Sequence, residues 1–329
     1  IKDNIMSFWK DKHILVTGGS GFIGSHLVER LLQAGAKVRV CGRSQECLSR
    51  FLGRNVAEVE FLEGDLAAAD FCGQACQGQD LVFHLAANVA GVGYNSQHPA
   101  TILYDNAVMG LNILEAAVRN DVERILLTSS ACVYRRYAAI PTPESEGFLD
   151  DPEPSNLGYG WAKRFLEVQA RCYVEEYPIK IALPRPYNAY GPRDDFEWET
   201  SHVIPALIRK VVEGHNPIQV WGDGSQTRSF LYVSDFVEGL LLTMEHYAEC
   251  DPVNIGSEEE VTISHLIQLI IDLAGSQAKI EYDLSKPGGQ PRRIGDYGKA
   301  RQVLGFAAKT PLAEGLQRTI AWYLEHRTT

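Results

Sequence analysis

His13-Ile14-Leu15-Val16-Thr17-Gly18-Gly19-Ser20-Gly21-Phe22-Ile23-Gly24 joins an apolar run to an amphipathic one. HILVTG (13–18) reads as a strand, and Gly24 to Ala34 as a helix that Gly35 ends. The glycines have separate tasks. Gly18 permits a tight turn, Gly21 lets backbone approach a pyrophosphate, and Gly24 lets helix and strand pack closely. The helix N-terminus, with its free N–H groups and positive dipole end, then faces the phosphates. Ser20, Phe22 and Ile23 complete this loop. A glycine turn alone is a weak signal. The strand before it, the helix after it and a second strand ending near Cys41 give it weight.

Outward from that loop, KVRVC (37–41), VEFLEGD (59–65), LVFHLAA (81–87) and RILLTSS (124–130) read as four more strands. Their nearly continuous apolar runs are those of parallel strands buried on both faces. A helical stretch, Thr101 to Arg119, lies between the last two. Alternating strand and helix predict an α/β fold with a doubly wound parallel sheet. Residues 138–156, rich in Pro, Glu, Asp and Ser, read as a loop. A helix follows from Leu157 to Tyr177, then a strand, KIALPRP (180–186). Further helices are expected at 203–213, 234–247, 263–274 and 312–327. The expected division is a dinucleotide-binding domain over 6–185, with 228–256 returning to it, and a smaller C-terminal α/β substrate domain over 186–329. Ligands of open α/β sheets bind at the carboxyl edge of the strands.

Composition narrows the class. The 329 residues carry a formal net charge of −11, with no block of like charges. That excludes sequence-independent nucleic-acid binding, which needs basic surface. An anionic substrate stays open, because a few arginines hold a diphosphate. No apolar run reaches membrane-spanning length, and the start lacks the order of a signal peptide. Residues 1–5, ahead of Met6, read as extraneous and stay outside the fold argument. The seven cysteines are scattered without a CxxC pair. They read as reduced thiols of a cytoplasmic protein, with neither a disulfide framework nor a metal site.

The end of the second strand, Val38-Arg39-Val40-Cys41-Gly42-Arg43, selects the cofactor. Gly42 stands where an NAD enzyme usually carries an acid for the ribose 2′-OH, and Arg43 is suited to a 2′-phosphate. NADP(H) is therefore favoured, with NAD(H) the alternative. Asp65, after the third strand, is placed to touch the adenine ring. Tyr159 and Lys163 form a YxxxK pair on one helix face, and Ser129 and Ser130 end a sheet strand. An ammonium beside a phenol lowers its pKa from about 10. The phenol then exchanges a proton with a hydroxyl while hydride moves to or from the carbon.

These stretches together resemble the extended short-chain dehydrogenase/reductase family. They are the glycine loop, His84-Leu85-Ala86-Ala87, Ser129-Ser130, Tyr159/Lys163, Arg185-Pro186-Tyr187-Asn188-Ala189-Tyr190-Gly191-Pro192 and Trp221-Gly222-Asp223-Gly224-Ser225-Gln226-Thr227-Arg228. The resemblance runs from about residue 12 to the C-terminus. It implies a Rossmann domain, a nucleotide-sugar substrate, and often a dimer built on the helices near 101–119 and 157–177. It adds Leu66, Leu85, Ala86, Ala87, Tyr159 and Lys163 to the cofactor site. It makes Ser130, Tyr159 and Lys163 catalytic, and it brings Asn188, Val203, Lys210, Trp221, Arg228 and Arg292 to the substrate along with Ser130.

Two details resemble the GDP-L-fucose synthase and GDP-mannose 3,5-epimerase branch. Ser130-Ala131-Cys132-Val133-Tyr134 has Ala and Cys where 4,6-dehydratases carry an acidic pair. Ser201-His202-Val203-Ile204-Pro205-Ala206-Leu207 resembles the synthase phrase whose His is the partner acid. Val89-Ala90-Gly91-Val92-Gly93-Tyr94-Asn95 and Ser285 to Arg292 lean the same way. Arg135-Arg136 after Tyr134, and Lys210 where an Arg is expected, depart from that pattern. Inverting a carbon beside a 4-keto group needs one group to take a proton and another to return one on the opposite face. A Cys of pKa about 8.5 and a His of about 6.5 are suited to this, so Cys132 and His202 are the candidate pair. The reading is an NADP(H)-linked C3/C5-epimerase and C4-reductase of a GDP-4-keto-sugar. A redox-neutral epimerase holding NAD is the alternative, and a non-catalytic NADP(H)-binding module is a third.

Overall fold

A computed structural model describes residues 8–89, 91–285 and 290–327. Residues 1–7, Ala90 and Lys286 to Gly289 lie outside the described residues, so the Val89–Asn95 and Ser285–Arg292 stretches are described only in part. Six parallel strands form the main sheet: β1 (His13–Thr17), β2 (Lys37–Gly42), β3 (Val59–Glu63), β4 (Leu81–His84), β5 (Arg124–Leu127) and β6 (Lys180–Ala182). Their order is β3-β2-β1-β4-β5-β6. This is the doubly wound topology, with its switch point between β1 and β4. Register aligns Thr17 with Cys41 and His84, and His84 with Leu127, so the carboxyl ends form one edge.

Strands β1, β4 and β5 are almost wholly buried, as their apolar runs predict. The strand β3 departs from that expectation. It sits at the sheet edge, and its alternating Val59-Glu60-Phe61-Leu62-Glu63 leaves the acids in water. Alternate residues of β1 feed separate cores. Ile14 and Val16 meet Leu27, Leu31, Phe236 and Leu240 on one face. Leu15 meets Ile113, Leu114 and Leu166 on the other. A third core joins helices Val203–Val212, Ile263–Leu273 and Leu312–His326.

The expected strand 180–186 breaks at Leu183. Residues Lys180–Ala182 pair with β5, whereas Pro184–Pro186 pairs with Val253–Ile255. Pro184 has no N–H to continue a ladder, which suits the change of partner. The helix Val233–His246 places Phe236, Val237 and Leu240 in the same core as β1. Downstream, Ile218–Trp221 pairs with Ile280–Asp283, and Thr227–Ser229 lies between Glu260–Thr262 and Arg292–Arg293. No helix is long and apolar enough to cross a membrane among the described residues.

Candidate active site

The glycine loop closes over the switch point. Gly18 has φ +69°, and a Cβ there would lie 2.8 Å from the Ala86 amide nitrogen. A Cβ on Gly24 would strike the Gly18 carbonyl, so the helix start rests on the turn itself. Gly21 differs: it is exposed, and its nearest neighbour, the Gly18 carbonyl, would be 3.3 Å from an added Cβ. It is also the extended N-cap of helix Phe22–Gln33, and no side chain caps it. The amides of Phe22, Ile23 and Gly24 follow without intrahelical partners. This open cradle of N–H groups fits the pyrophosphate of an NAD(P) cofactor.

Beyond it, Ser20 Oγ lies 3.3 Å from where a Gly42 Cβ would stand. Arg43 is exposed and, among the described residues, joins no ion pair. Arg39 on the same strand is committed elsewhere, to Glu60 at 2.9 and 3.0 Å and to the Ala75 and Gln77 carbonyls. Exposed Asp65 accepts from the Ala67 amide at 2.9 Å, with Leu66 buried behind it. Leu85, Ala86 and Ala87 line the rim half-buried. The Ala86 amide donates to Thr17 Oγ1 at 3.2 Å, and the same hydroxyl meets His84 Nδ1 at 2.9 Å.

Ser130, Cys132, Tyr159 and Lys163 converge where β5 ends. Lys163 Nζ donates to the Thr128 carbonyl at 2.8 Å and stands 5.4 Å from the Tyr159 ring centroid. Ser130 Oγ accepts from the Cys132 amide at 3.1 Å and lies near enough to the Tyr159 phenol to lower its pKa. Gly160 lets the helix start close on this turn, because a Cβ there would lie 2.5 Å from the Cys132 carbonyl. Burial, with Cys132 adding to it, pushes the Tyr159 phenol above its ordinary value, while Ser130 pulls it down. The expected lowering of Tyr159 by Lys163 is not seen: burial and Cys132 raise the phenol and only Ser130 opposes them. Burial lowers Lys163 to about 8, opposed by Cys132 and Glu167. His84 falls to about 3 through burial and the Lys163 charge, so it is neutral.

Cys132 is half-buried in the turn Ala131–Val133, and Arg293 Nη2 donates to its Sγ at 3.5 Å. Arg293 faces Arg228 across paired strands. Burial and the Arg293 charge pull Arg228 down to about 10. Arg228 donates to the Thr227 and Gln290 carbonyls, both at 2.7 Å. Neither arginine closes a salt bridge among the described residues, although the Glu153 carboxylate acts on both. Arg292, expected at the diphosphate, is instead exposed and held by Glu260 at 2.7 and 2.8 Å. Neighbours on a strand point to opposite faces. The Arg292-Arg293 pair thus carried the signal for Arg293, which sequence reasoning passed over.

The other candidates stand apart. His202 precedes helix Val203–Val212 without capping it through its side chain. It is solvent-accessible yet crowded; the crowding lowers its pKa and Asp195 raises it. No hydrogen bond or ion pair joins His202 or Lys210 to the Ser130–Lys163 cluster among the described residues. A backbone bond from Gly91 N to Thr200 O, 2.8 Å, ties the loop carrying His202 to the segment after β4. Val203 is partly exposed, and Lys210 is half-buried. Asn188 spends its amide on the Ser229 carbonyl at 2.9 Å, and Trp221 is 61% exposed. No group of three or more His, Cys, Asp and Glu is placed to hold a metal among the described residues.

A family model described as the NAD dependent epimerase/dehydratase family matches residues 14–256. A probable GDP-L-fucose synthase 1 of Oryza sativa subsp. japonica is 34% identical over 327 residues, covering 97% of this chain and 95% of its own. GDP-mannose 3,5-epimerase 1 of the same organism is 31% identical over 325 residues, covering 97% and 84%. The crystal structure of a GDP-L-fucose synthetase from Naegleria fowleri bound to NADP matches with a TM-score of 0.83 and 30% identity, covering 96% and 93%. With its glycine cradle, its Ser-Tyr-Lys cluster and these relatives, the chain belongs to the NAD-dependent epimerase/dehydratase family of enzymes acting on nucleotide sugars.

Proposed function

We propose that this enzyme is an NADP(H)-linked C3/C5-epimerase and C4-reductase of a GDP-4-keto-sugar. The carrying observation is Cys132, a second proton-handling group against Tyr159 and Lys163, with Arg293 on its sulfur. Similarity to a probable GDP-L-fucose synthase supports the same reading. When bound, the cofactor supplies hydride. The phenol of Tyr159 gives its proton to the sugar C4 oxygen, Ser130 orients that oxygen, and Lys163 stabilises the tyrosinate left behind. Cys132 takes a proton from the carbon beside the ketone, and His202 returns one on the opposite face. Arg228 and Arg293 hold the diphosphate, assisted by Lys210; Asn188, Val203 and Trp221 line the nucleotide side.

Exposed Arg43 supports NADP(H), and Asp65 the adenine contact. In this reading residues 6–185 with 228–256 hold the cofactor, and the rest mainly holds the sugar nucleotide. The reduced thiols suit a cytoplasmic enzyme. A homodimer is supported by apolar side chains exposed on two helices. They are Leu103, Tyr104 and Leu111 on Pro99–Arg119, and Leu157, Trp161, Phe165 and Val168 on Leu157–Glu176.

The test is incubation with a panel of nucleotide sugars, following NADPH consumption and product identity together. Stoichiometric consumption with inverted C3 and C5 supports the proposal. Inversion without consumption supports a redox-neutral epimerase instead, a second reading favoured by the similarity to GDP-mannose 3,5-epimerase 1.

A further inference from the structure

Beneath the Ser-Tyr-Lys cluster lies a buried ionic network that the chemistry above does not use. Tyr159, Lys163 and Glu167 follow one another on successive turns of helix Leu157–Glu176. Glu167 is fully buried, and its carboxylate takes three donors. Arg185 Nε and Nη2 bind it at 2.8 and 2.6 Å, and Ser129 Oγ donates to the same oxygen as Nε. Ser129 is the residue before Ser130. The free arm of Arg185, Nη1, reaches the Tyr134 hydroxyl at 3.1 Å and the Glu144 carbonyl at 2.7 Å. Tyr134 follows the Cys132 turn directly, and its hydroxyl donates to Asn254 at 2.5 Å. Asn254 in turn donates to the Thr142 and Asp296 carbonyls, the latter three residues from Arg293. One buried chain of bonds thus touches the serine strand end, the far side of the Cys132 turn and the segment presenting Arg293.

We propose that Glu167 is a positioning residue for the Ser130–Tyr159–Lys163 centre. Its carboxylate pins the strand end carrying Ser130 and sets a fixed negative charge one helical turn below the Lys163 ammonium. The inference rests on those three residues being the redox centre. A buried ion pair is a poor device for stability alone, because desolvation offsets most of its attraction and apolar residues of similar size often replace it without loss. Lys163 is otherwise faced by His84, neutral on β4, by the Tyr159 phenol, by Cys132 and by the Thr128 carbonyl. Arg185 is spent on Glu167 itself. Glu167 is then the carboxylate in that shell, ion-paired with Arg185, and with Cys132 it favours the charged form of Lys163.

The test uses the full chain with bound NADP+, Glu167→Gln, and the double variant Glu167→Met/Arg185→Met, which leaves no unpaired buried charge. Lys163 is followed directly by NMR of protein carrying 13Cε-lysine, its signal assigned through Lys163→Arg, so no sugar is needed. In folded Glu167→Gln the Lys163 titration is expected to move to lower pH by about one unit, and in the double variant, which also removes the Arg185 charge, by less. The affinity for NADP(H) should stay within about twofold, since the glycine cradle is untouched. In turnover of a GDP-4-keto-sugar, kcat is expected to fall while KM changes little, and the alkaline limb to follow Lys163 to lower pH. An unchanged Lys163 titration overturns the proposal. A shifted titration with an unmoved alkaline limb keeps the coupling of Glu167 to Lys163 but refutes the redox role of Lys163 on which the proposal rests. If neither Glu167 variant folds, Ser129→Ala decides, because it cuts the strand-end link and keeps the ion pair. Unchanged kcat in that variant overturns the proposal.

Discussion

Arg43 is an exposed guanidinium with Gly42 beside it in place of an acid, and the proposed function sets it at the cofactor's ribose. Changing Arg43 to Asp is expected to move preference from NADP(H) towards NAD(H). Calorimetry on cofactor-free protein checks this, and tighter NAD(H) than NADP(H) binding by the unmodified chain would refute it. Tyr159→Phe removes one phenolic oxygen and is expected to cost roughly 10²–10⁴-fold in hydride transfer, with cofactor affinity retained. Lys163 titrates near 8 because burial disfavours its charge. Turnover should therefore fall as pH rises through about 8, and Lys163→Arg, whose cation does not titrate there, should carry that limb upward. His84 gives a stability prediction with its own sign. Its folded pKa of about 3 lies below the ordinary 6.5. Below 6.5 the unfolded chain binds the proton and the folded chain does not. Stability is thus complete above 6.5 and is lost as pH falls towards 3, by up to about 5 kcal/mol. Urea melts between about pH 7 and pH 4 should show this loss, and His84→Asn should flatten it.

The helices Pro99–Arg119 and Leu157–Glu176 each bury one face on the sheet and leave an apolar stripe outside. Trp161→Glu with Leu111→Glu is expected to give a monomer in sedimentation, while the far-ultraviolet spectrum stays unchanged. A monomer before mutation would remove the dimer reading. These long elements were legible because their apolar positions recur over several turns. Shorter ones were not. Gln45–Leu52, Ala69–Cys76 and Gly298–Leu304 offer at most two turns or so of pattern, too short for periodicity to stand out. The break at Leu183 was invisible for a related reason. An apolar run reports burial, not which neighbour supplies the hydrogen bonds. The glycine loop was legible in full, because Gly18 at positive φ and Gly24 against a carbonyl leave no room for another residue.

Across the whole molecule, the site joins residues that sequence order keeps far apart. Cys132 follows β5 and Arg293 comes from a strand some 160 positions later; His202 heads a helix of the third core and joins them only in the proposed function. The Ser-Tyr-Lys cluster could be named in advance because its spacing is local to one helix and one strand end. Arg228 was named on its motif, but Arg293 was not, because only the pairing of Thr227–Ser229 with Arg292–Arg293 decides which of the two faces inward. The same long-range assembly gives the test that separates epimerisation from reduction. If Cys132 and His202 form the proton pair, Cys132→Ser and His202→Asn should each slow exchange of ring C–H protons with solvent by roughly 10²–10⁴-fold. Both should spare C4 reduction of a ketone already in the right configuration, since Tyr159 and Lys163 are untouched. Both keep approximate size, and neither side chain belongs to the buried cores, so folding should survive. Deuterium uptake from heavy water, read by mass spectrometry, reports the proton step apart from NADPH oxidation. Loss of uptake in Cys132→Ser alone would keep the thiol and assign the second proton to a group other than His202, which forms no hydrogen bond or ion pair with the cluster among the described residues. Unchanged uptake in both variants would leave a plain 4-reductase or 4-epimerase, with Cys132 as packing against the Tyr159 helix and His202 as the residue that starts a helix.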